Sequence, residues 1–185
     1  MRRPKNADVR EREHLTPAEV KQLATAAKNR GRHGNRDALA IKFAARHGLR
    51  VSELCALTWD AVDLTGGWLH VVRRKNGVAS THPLLGEEIR ELRALKRKGG
   101  DSRFVFNNER GSPLSPEGFA RMLQRAGEVA GFRFPVHPHM LRHAAGFRLA
   151  NEGKNTRDLQ LWLGHKNIQH TVRYTELDGN RFKGW

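Results

Sequence analysis

Three short strings in the last third of the chain concentrate residues able to do chemistry: HPHMLRH at 137–143, LGHKN at 163–167 and HTVRY at 170–174. Five of the ten histidines fall there, together with the only tyrosine, Tyr174. Far upstream, GLRVSEL at 48–54 sets Arg50 three residues before Glu53. Metal binding is the first chemistry to weigh. His139 and His143 are four apart and share a helix face, as zinc-binding pairs do. Arg142 crowds that face, and no Glu follows the first His as a metalloprotease needs. Taken singly, each histidine is as readily a surface or hydrogen-bonded core residue. The combination is what carries information.

In their order and local spacing, these motifs resemble the catalytic domain of the tyrosine recombinases, the phage integrase family. The resemblance covers nearly the whole chain. The RRKNG turn at 73–77, THPL at 81–84, LGHKNIQHTVRYT at 163–175 and the terminal RFKGW are similar to the branch that inverts fimbrial phase-variation switches. Position by position, the resemblance implies catalytic roles for Arg50, the hairpin residue Lys75, His139, Arg142 and His165, with Tyr174 as nucleophile. Glu53 is implied as a supporting acid. His143 follows Arg142 and is assigned beside the site without a defined step.

The chemistry of cutting a DNA phosphodiester asks for these residue types independently. Attack at phosphorus concentrates negative charge on two nonbridging oxygens. Two guanidinium groups, here Arg50 and Arg142, clamp such oxygens through paired, charge-assisted hydrogen bonds without a metal ion. A phenol with pKa near 10 is ionised only about one part in a thousand at pH 7, so forming the phenolate costs roughly 4 kcal/mol. A cationic pocket lowers that cost, and His139 is the first candidate to accept the proton. Lys75 at a hairpin tip suits protonation of the departing 5′ oxygen, although Arg73 and Arg74 adjoin it and strand alternation decides which points inward. His165 would hydrogen-bond the phosphate or the leaving group. A 3′-phosphotyrosine conserves the bond energy, so rejoining needs no ATP and no cofactor.

Composition agrees with a polyanionic partner. Lys and Arg number 34 against 19 Asp and Glu, a net charge of +15 over 185 residues. The basic residues divide 16, 9 and 9 over residues 1–89, 90–125 and 126–185, so the charge covers the body instead of forming an arm. No apolar run approaches the length of a membrane span, and the polar N-terminus lacks the apolar stretch of a secretory signal. A single cysteine, Cys55, excludes an internal disulfide and a Cys-rich zinc site. The expected location is the cytoplasm, with the bacterial nucleoid as its setting.

These residues must be held by a scaffold, and periodicity predicts a mainly α fold with a small antiparallel β-sheet. Thr16-Pro17-Ala18-Glu19 starts a helix running to about Lys28. Asn35 is expected to cap a second helix ended by Gly48, followed by a short helix from Ser52. Strands are expected at 68–72 and up to Pro83 around the Asn76-Gly77 turn, with a further short strand at Phe104-Val105-Phe106. Helices follow at about 86–97, from Ser115-Pro116 to near Gly131, and at 138–152, 156–163 and 171–177. The expected organisation is a flexible lead-in over 1–14, a catalytic domain over 15–176 and a C-terminal segment over 177–185, with no N-terminal core-binding domain. By resemblance, that last segment packs on a neighbouring subunit; its apolar Phe182 and Trp185 fit such a place and equally one on their own domain. The implied partners are double-stranded DNA with short inverted sites, three further copies in a homotetramer, and host DNA-bending proteins. Two rival activities share the motifs: a non-catalytic DNA-binding regulator, and type IB topoisomerase-like relaxation.

Overall fold

The computed structural model describes residues 12–73 and 77–176. The expectations for Lys75, for most of the lead-in and for the 177–185 segment lie outside the described residues. Helix α1 (Pro17–Lys28) starts where the sequence predicts. Thr16 Oγ1 accepts from the Glu19 backbone N–H at 3.3 Å, and the Glu19 carboxylate accepts from Thr16 N at 2.8 Å. Helix α2 (Gly34–His47) begins two residues earlier than an Asn35 cap allows. The chain folds so tightly onto the end of α1 that a Cβ at position 34 would lie 2.0 Å from the Lys28 carbonyl oxygen. Glycine therefore takes the first helical position, His33 takes the cap position without a side-chain bond, and Asn35 sits in the first turn.

Leu39, Ala40, Ile41, Phe43 and Ala44 are buried nearly all around α2, which marks it as the central helix, packed between α1 and α6 (Pro138–Asn151). Helix α3 (Val51–Cys55) is one and a half turns long and follows α2 almost at once. A 3-10 turn at Trp59–Ala61 leads into a three-stranded antiparallel sheet, β1 (Val62–Asp63), β2 (Trp68–Val71) and β3 (Ser80–Pro83), in that order. Leu69 and Val71 point inward and pair with His82 and Ser80. Strand β1 has two residues, too few to show alternation, and the sequence reading missed it.

The expected strand at Phe104–Phe106 is not one. Phe104 makes a single bridge to Thr58, and Val105 N donates to Leu57 O at 2.9 Å. The apolar run reflects burial of Val105 and Phe106 in the core, not ladder pairing. Helix α4 (Gly86–Lys98) buries Glu88 and Leu92 fully and carries acids in its first turn and bases in its last, complementing its dipole. Helix α5 (Pro116–Val129) is capped by Ser115. Helices α7 (Thr156–Leu163) and α8 (Gln169–Glu176) close the fold. The main core joins α1–α6 with the sheet, and a second, smaller cluster of Ala145, Leu149, Leu159, Leu163 and Tyr174 joins α6, α7 and α8.

Candidate active site

Two helix ends build the anion pocket. Gly48 after α2 and Gly164 after α7 adopt left-handed φ angles of 61° and 64°, which stops each helix abruptly. Beyond α7, Gly164 N donates to Leu161 O and His165 N to Gln160 O, the paired bonds of a Schellman stop. That leaves the carbonyls of Trp162 and Leu163 without helical donors, and both receive arginines. Arg73 Nη2 donates to Trp162 O, and Arg142 Nη2 donates to Leu163 O at 2.8 Å. Arg142 Nη1 bonds the Gly48 carbonyl, which Arg73 Nη1 also approaches at 3.4 Å. Two negative helix ends thus aim two guanidinium groups into one place. A Cβ on Gly164 would meet Arg73 Cγ and Nε at 2.6 Å, so the close approach needs glycine as much as the φ angle does.

Glu53 is the hinge of the charge cluster. It accepts from the Arg50 backbone N–H at 2.9 Å, from Arg50 Nη1 at 2.7 Å and from Arg73 Nη1 at 2.9 Å. Burial pushes its carboxyl up, but the Arg50 backbone bond and the Arg73 charge outweigh that and hold it below the usual carboxylate range. Arg50, at the start of α3, stays half-buried, whereas Arg142 is only 3% exposed. Burial, with repulsion from Arg50 and Arg73, pushes the Arg142 guanidinium down to about 10. Arg50 and Arg73 pair with this one carboxylate and Arg142 lies within its electrostatic reach, an excess of positive charge among the described residues that an anionic ligand would relieve.

Tyr174 lies on α8, packed on α6 with 2% exposure. Its ring meets Phe147 edge-on at 5.1 Å, and a Cβ on Gly146 would lie 2.7 Å from it, so glycine at 146 makes room for the phenol. Burial raises its pKa, while Arg142 and Arg173 pull the other way. The hydroxyl lies 2.8 Å from His143 Nδ1. Burial, then the charges of His139, Arg173 and Arg142, push the His143 imidazole down to about 3, so it is neutral and able to accept the phenolic proton. The expected acceptor, His139, is exposed in the first turn of α6, its ring 4.7 Å from that of His143. One turn of helix explains the exchange: His143 faces inward toward α8, and His139 stands nearer its open end.

His165 is buried just beyond Gly164, with Nδ1 2.8 Å from Thr171 Oγ1 of α8, and burial with the Arg142 and Arg50 charges pushes it down to about 3. The structure therefore gathers Arg50, Glu53, Arg142 and His165 at one place, with His143 and Tyr174 at its edge. It adds Arg73, which sequence reading noted only as a neighbour of Lys75. The alternation that turns Leu69 and Val71 inward continues to Arg73, and that was its available signal. Cys55 is a buried thiol pushed up to about 11 by burial and Glu117, a packing residue as expected. Among the described residues, no three His, Cys, Asp or Glu side chains converge as metal ligands, and no helix is long and apolar enough to cross a membrane.

The model of the phage integrase family matches residues 13–181. The type 1 fimbriae regulatory protein FimB of Escherichia coli K12 is 39% identical over 183 residues, covering 96% of this chain and 91% of its own length. FimE of the same strain is 41% identical over 179 residues, covering 94% and 90%. Tyrosine recombinase XerD of Pseudomonas putida is 34% identical over 88% of this chain and 57% of its own length. Among solved structures, XerA recombinase superposes with a TM-score of 0.78 at 26% identity, over 92% of this chain and 62% of that one. XerH bound to palindromic difH in a post-cleavage complex shares the fold, with a TM-score of 0.80 at 22% identity, over 97% and 54%. This chain belongs to the phage integrase family.

Proposed function

We propose that this chain is a site-specific recombinase that cuts and rejoins double-stranded DNA through a 3′-phosphotyrosine on Tyr174, inverting a promoter-bearing segment between short inverted repeats. The observation that carries this is the cluster of Arg50, Arg73 and Arg142 around a single carboxylate, within electrostatic reach of the buried phenol. A phosphodiester entering this pocket supplies the missing negative charge. Its nonbridging oxygens take Arg50 and Arg142, while Arg73 stays on Glu53 and the Trp162 carbonyl.

With 2% of Tyr174 exposed, the phenol reaches a backbone phosphate only after α8 shifts. The phenolic oxygen then attacks phosphorus, the bond to the 5′ oxygen breaks, and the phenolic proton passes to a neutral imidazole. His143 Nδ1 already lies within hydrogen-bond distance of the hydroxyl, and His139 lies one turn away. The thiol-free, metal-free logic needs one further proton for the 5′ oxygen, which Lys75, two residues past Arg73, supplies. Thr171 fixes His165 Nδ1, which orients Nε2 toward the phosphate. Rejoining runs the same steps in reverse with a new 5′ hydroxyl. In this reading the working assembly is a homotetramer on two sites in the bacterial cytoplasm, assisted by DNA-bending proteins, with 177–185 packed on a neighbouring subunit. The similarity to FimB and FimE over nine-tenths of their lengths supports the inversion role.

The test is a nicked suicide duplex carrying the inverted repeat found beside the gene. A covalent adduct that survives denaturation is expected with the native chain and absent with Tyr174→Phe. No adduct from the native chain would refute the enzyme reading in favour of a DNA-binding regulator. Relaxation of supercoiled plasmids lacking the repeat would instead indicate a topoisomerase.

A further inference from the structure

Away from the phosphate pocket, four polar side chains form a buried chain that the proposed chemistry does not use. Ser80 Oγ lies 2.9 Å from His82 Nε2, His82 Nδ1 lies 3.1 Å from His47 Nδ1, and His47 Nε2 lies 3.2 Å from Glu88 Oε1. The proton positions follow from the end of the chain. Ionised Glu88 can only accept, so His47 carries its hydrogen on Nε2 and accepts at Nδ1. His82 must then donate from Nδ1 and accept the Ser80 hydroxyl at Nε2. Both imidazoles stay neutral in this arrangement, which, with a backbone hydrogen-bond contact between His82 and Trp162, fixes the His82 ring in one plane.

The plane matters because of what lies on it. The Trp162 indole stacks on His82 with centroids 3.9 Å apart and an angle of 15°, and its Nε1–H donates to the Arg46 carbonyl at 3.2 Å. Trp162 thereby ties the last turn of α7 to α2 and β3. That turn supplies the consecutive carbonyls of Trp162 and Leu163, which hold Arg73 and Arg142.

We propose that Trp162, seated on the His82 ring, is a positioning residue for phosphate activation, setting the end of α7 whose two carbonyls aim Arg73 and Arg142. This inference rests on the recombinase reading and deepens it. Neither side chain touches the substrate. Loss of the stack lets the α7 terminus shift, and misplacement of about 1 Å at reacting groups costs on the order of 10²-fold in rate.

The experiment measures the first-order rate of adduct formation at saturating suicide duplex, the duplex affinity and the thermal midpoint, for the native chain, Trp162→Ala, Trp162→Phe and His82→Leu. Trp162→Ala is expected to slow adduct formation by roughly 10- to 100-fold with duplex affinity little changed, and Trp162→Phe to recover most of the loss. A second substrate, with a methylphosphonate at the scissile position, removes one nonbridging negative charge. If the arginines have moved, the rate ratio between phosphate and methylphosphonate shrinks in Trp162→Ala. Equal slowing on both substrates would show a general loss of structure and overturn the proposal, as would an unchanged rate. His82→Leu carries the same comparison should Trp162→Ala fail to fold. Absence of adduct from the native chain strikes the function reading instead, so the two failures are distinguishable.

Discussion

Two buried polar regions lie side by side in this molecule and are built on opposite principles. In the chain from Ser80 through His82 and His47 to Glu88, each of the four side chains has a neighbour to bond, and Glu88 is further paired with Arg46 at 3.2 Å, although Arg46 Nε makes no aligned hydrogen bond. Around Glu53, Arg50 and Arg73 share one carboxylate with Arg142 close by, helix carbonyls hold Arg73 and Arg142, and Arg73 Nε is left without a partner. The first region is complete without a ligand and contributes order. The second retains uncompensated positive charge, the usual compromise between stability and function at a site that must bind an anion.

The sharpest way to break that comparison is Arg142→Ala. Removal of one preorganised donor is expected to lower the adduct rate by about 10² to 10³-fold, while DNA affinity, carried by charge over the whole surface, falls far less. Loss of binding in proportion to rate would make Arg142 a simple affinity contact. Duplex affinity should also fall steeply with salt, as it does when many phosphates are neutralised.

Next in size are the two carboxylates. Glu53→Gln leaves Arg50 and Arg73 without their shared anion, beside the buried Arg142, and is expected to cost about 3–5 kcal/mol of unfolding free energy. Glu88→Gln keeps a hydrogen-bonding group in a region with one matched cation, and a cost nearer 1–3 kcal/mol is expected. Denaturant titration of both variants gives the order directly, and a reversed order would contradict the assignment of excess charge to the Glu53 region.

Acidification probes the complete region and the histidines around the phenol together. His82, His143 and His165 all sit at about 3, pushed down first by burial. Their unfolded forms take up protons below the ordinary histidine value while the folded forms do not. Stability is therefore full above about pH 6.5 and is lost as pH falls, by up to about 2 kcal/mol for each such imidazole between pH 7 and pH 5. A thermal midpoint unchanged over that interval would mean these imidazoles are not held neutral. The smallest effect expected is from inorganic phosphate, which should raise the midpoint of the native chain by the equivalent of about 1.4 kcal/mol at ten times its dissociation constant. It should do nothing for Arg142→Ala.

Much of the scaffold was legible because its signals are local. The Thr16 capping box, the Gly48 and Gly164 stops and the Pro-led starts of α5 and α6 are written within a few residues of where they act. The failures have equally specific causes. Asn35 is a good cap by type, yet close packing on the Lys28 carbonyl moved the helix start to a glycine. Phe104–Phe106 has strand composition, but its backbone bonds to Leu57 and Leu114 and the Thr58 bridge stay isolated and do not extend into a ladder, while Val105 and Phe106 serve as core.

The site divides along the same line. The sequence alone determined which residue types are present, in which order, and that a single phenol must be the nucleophile if any tyrosine is. It also determined the large positive charge that selects a polyanion. Only tertiary structure decided that Arg73 belongs to the charge cluster, that His143 and not His139 holds the phenol, and that the tyrosine rests buried. Each of those facts depends on which carbonyls two helix ends leave unsatisfied, and on which helix face meets which, across 20 to 89 residues of intervening chain. Contacts over such separations are set by packing of the whole core, and no local pattern encodes them.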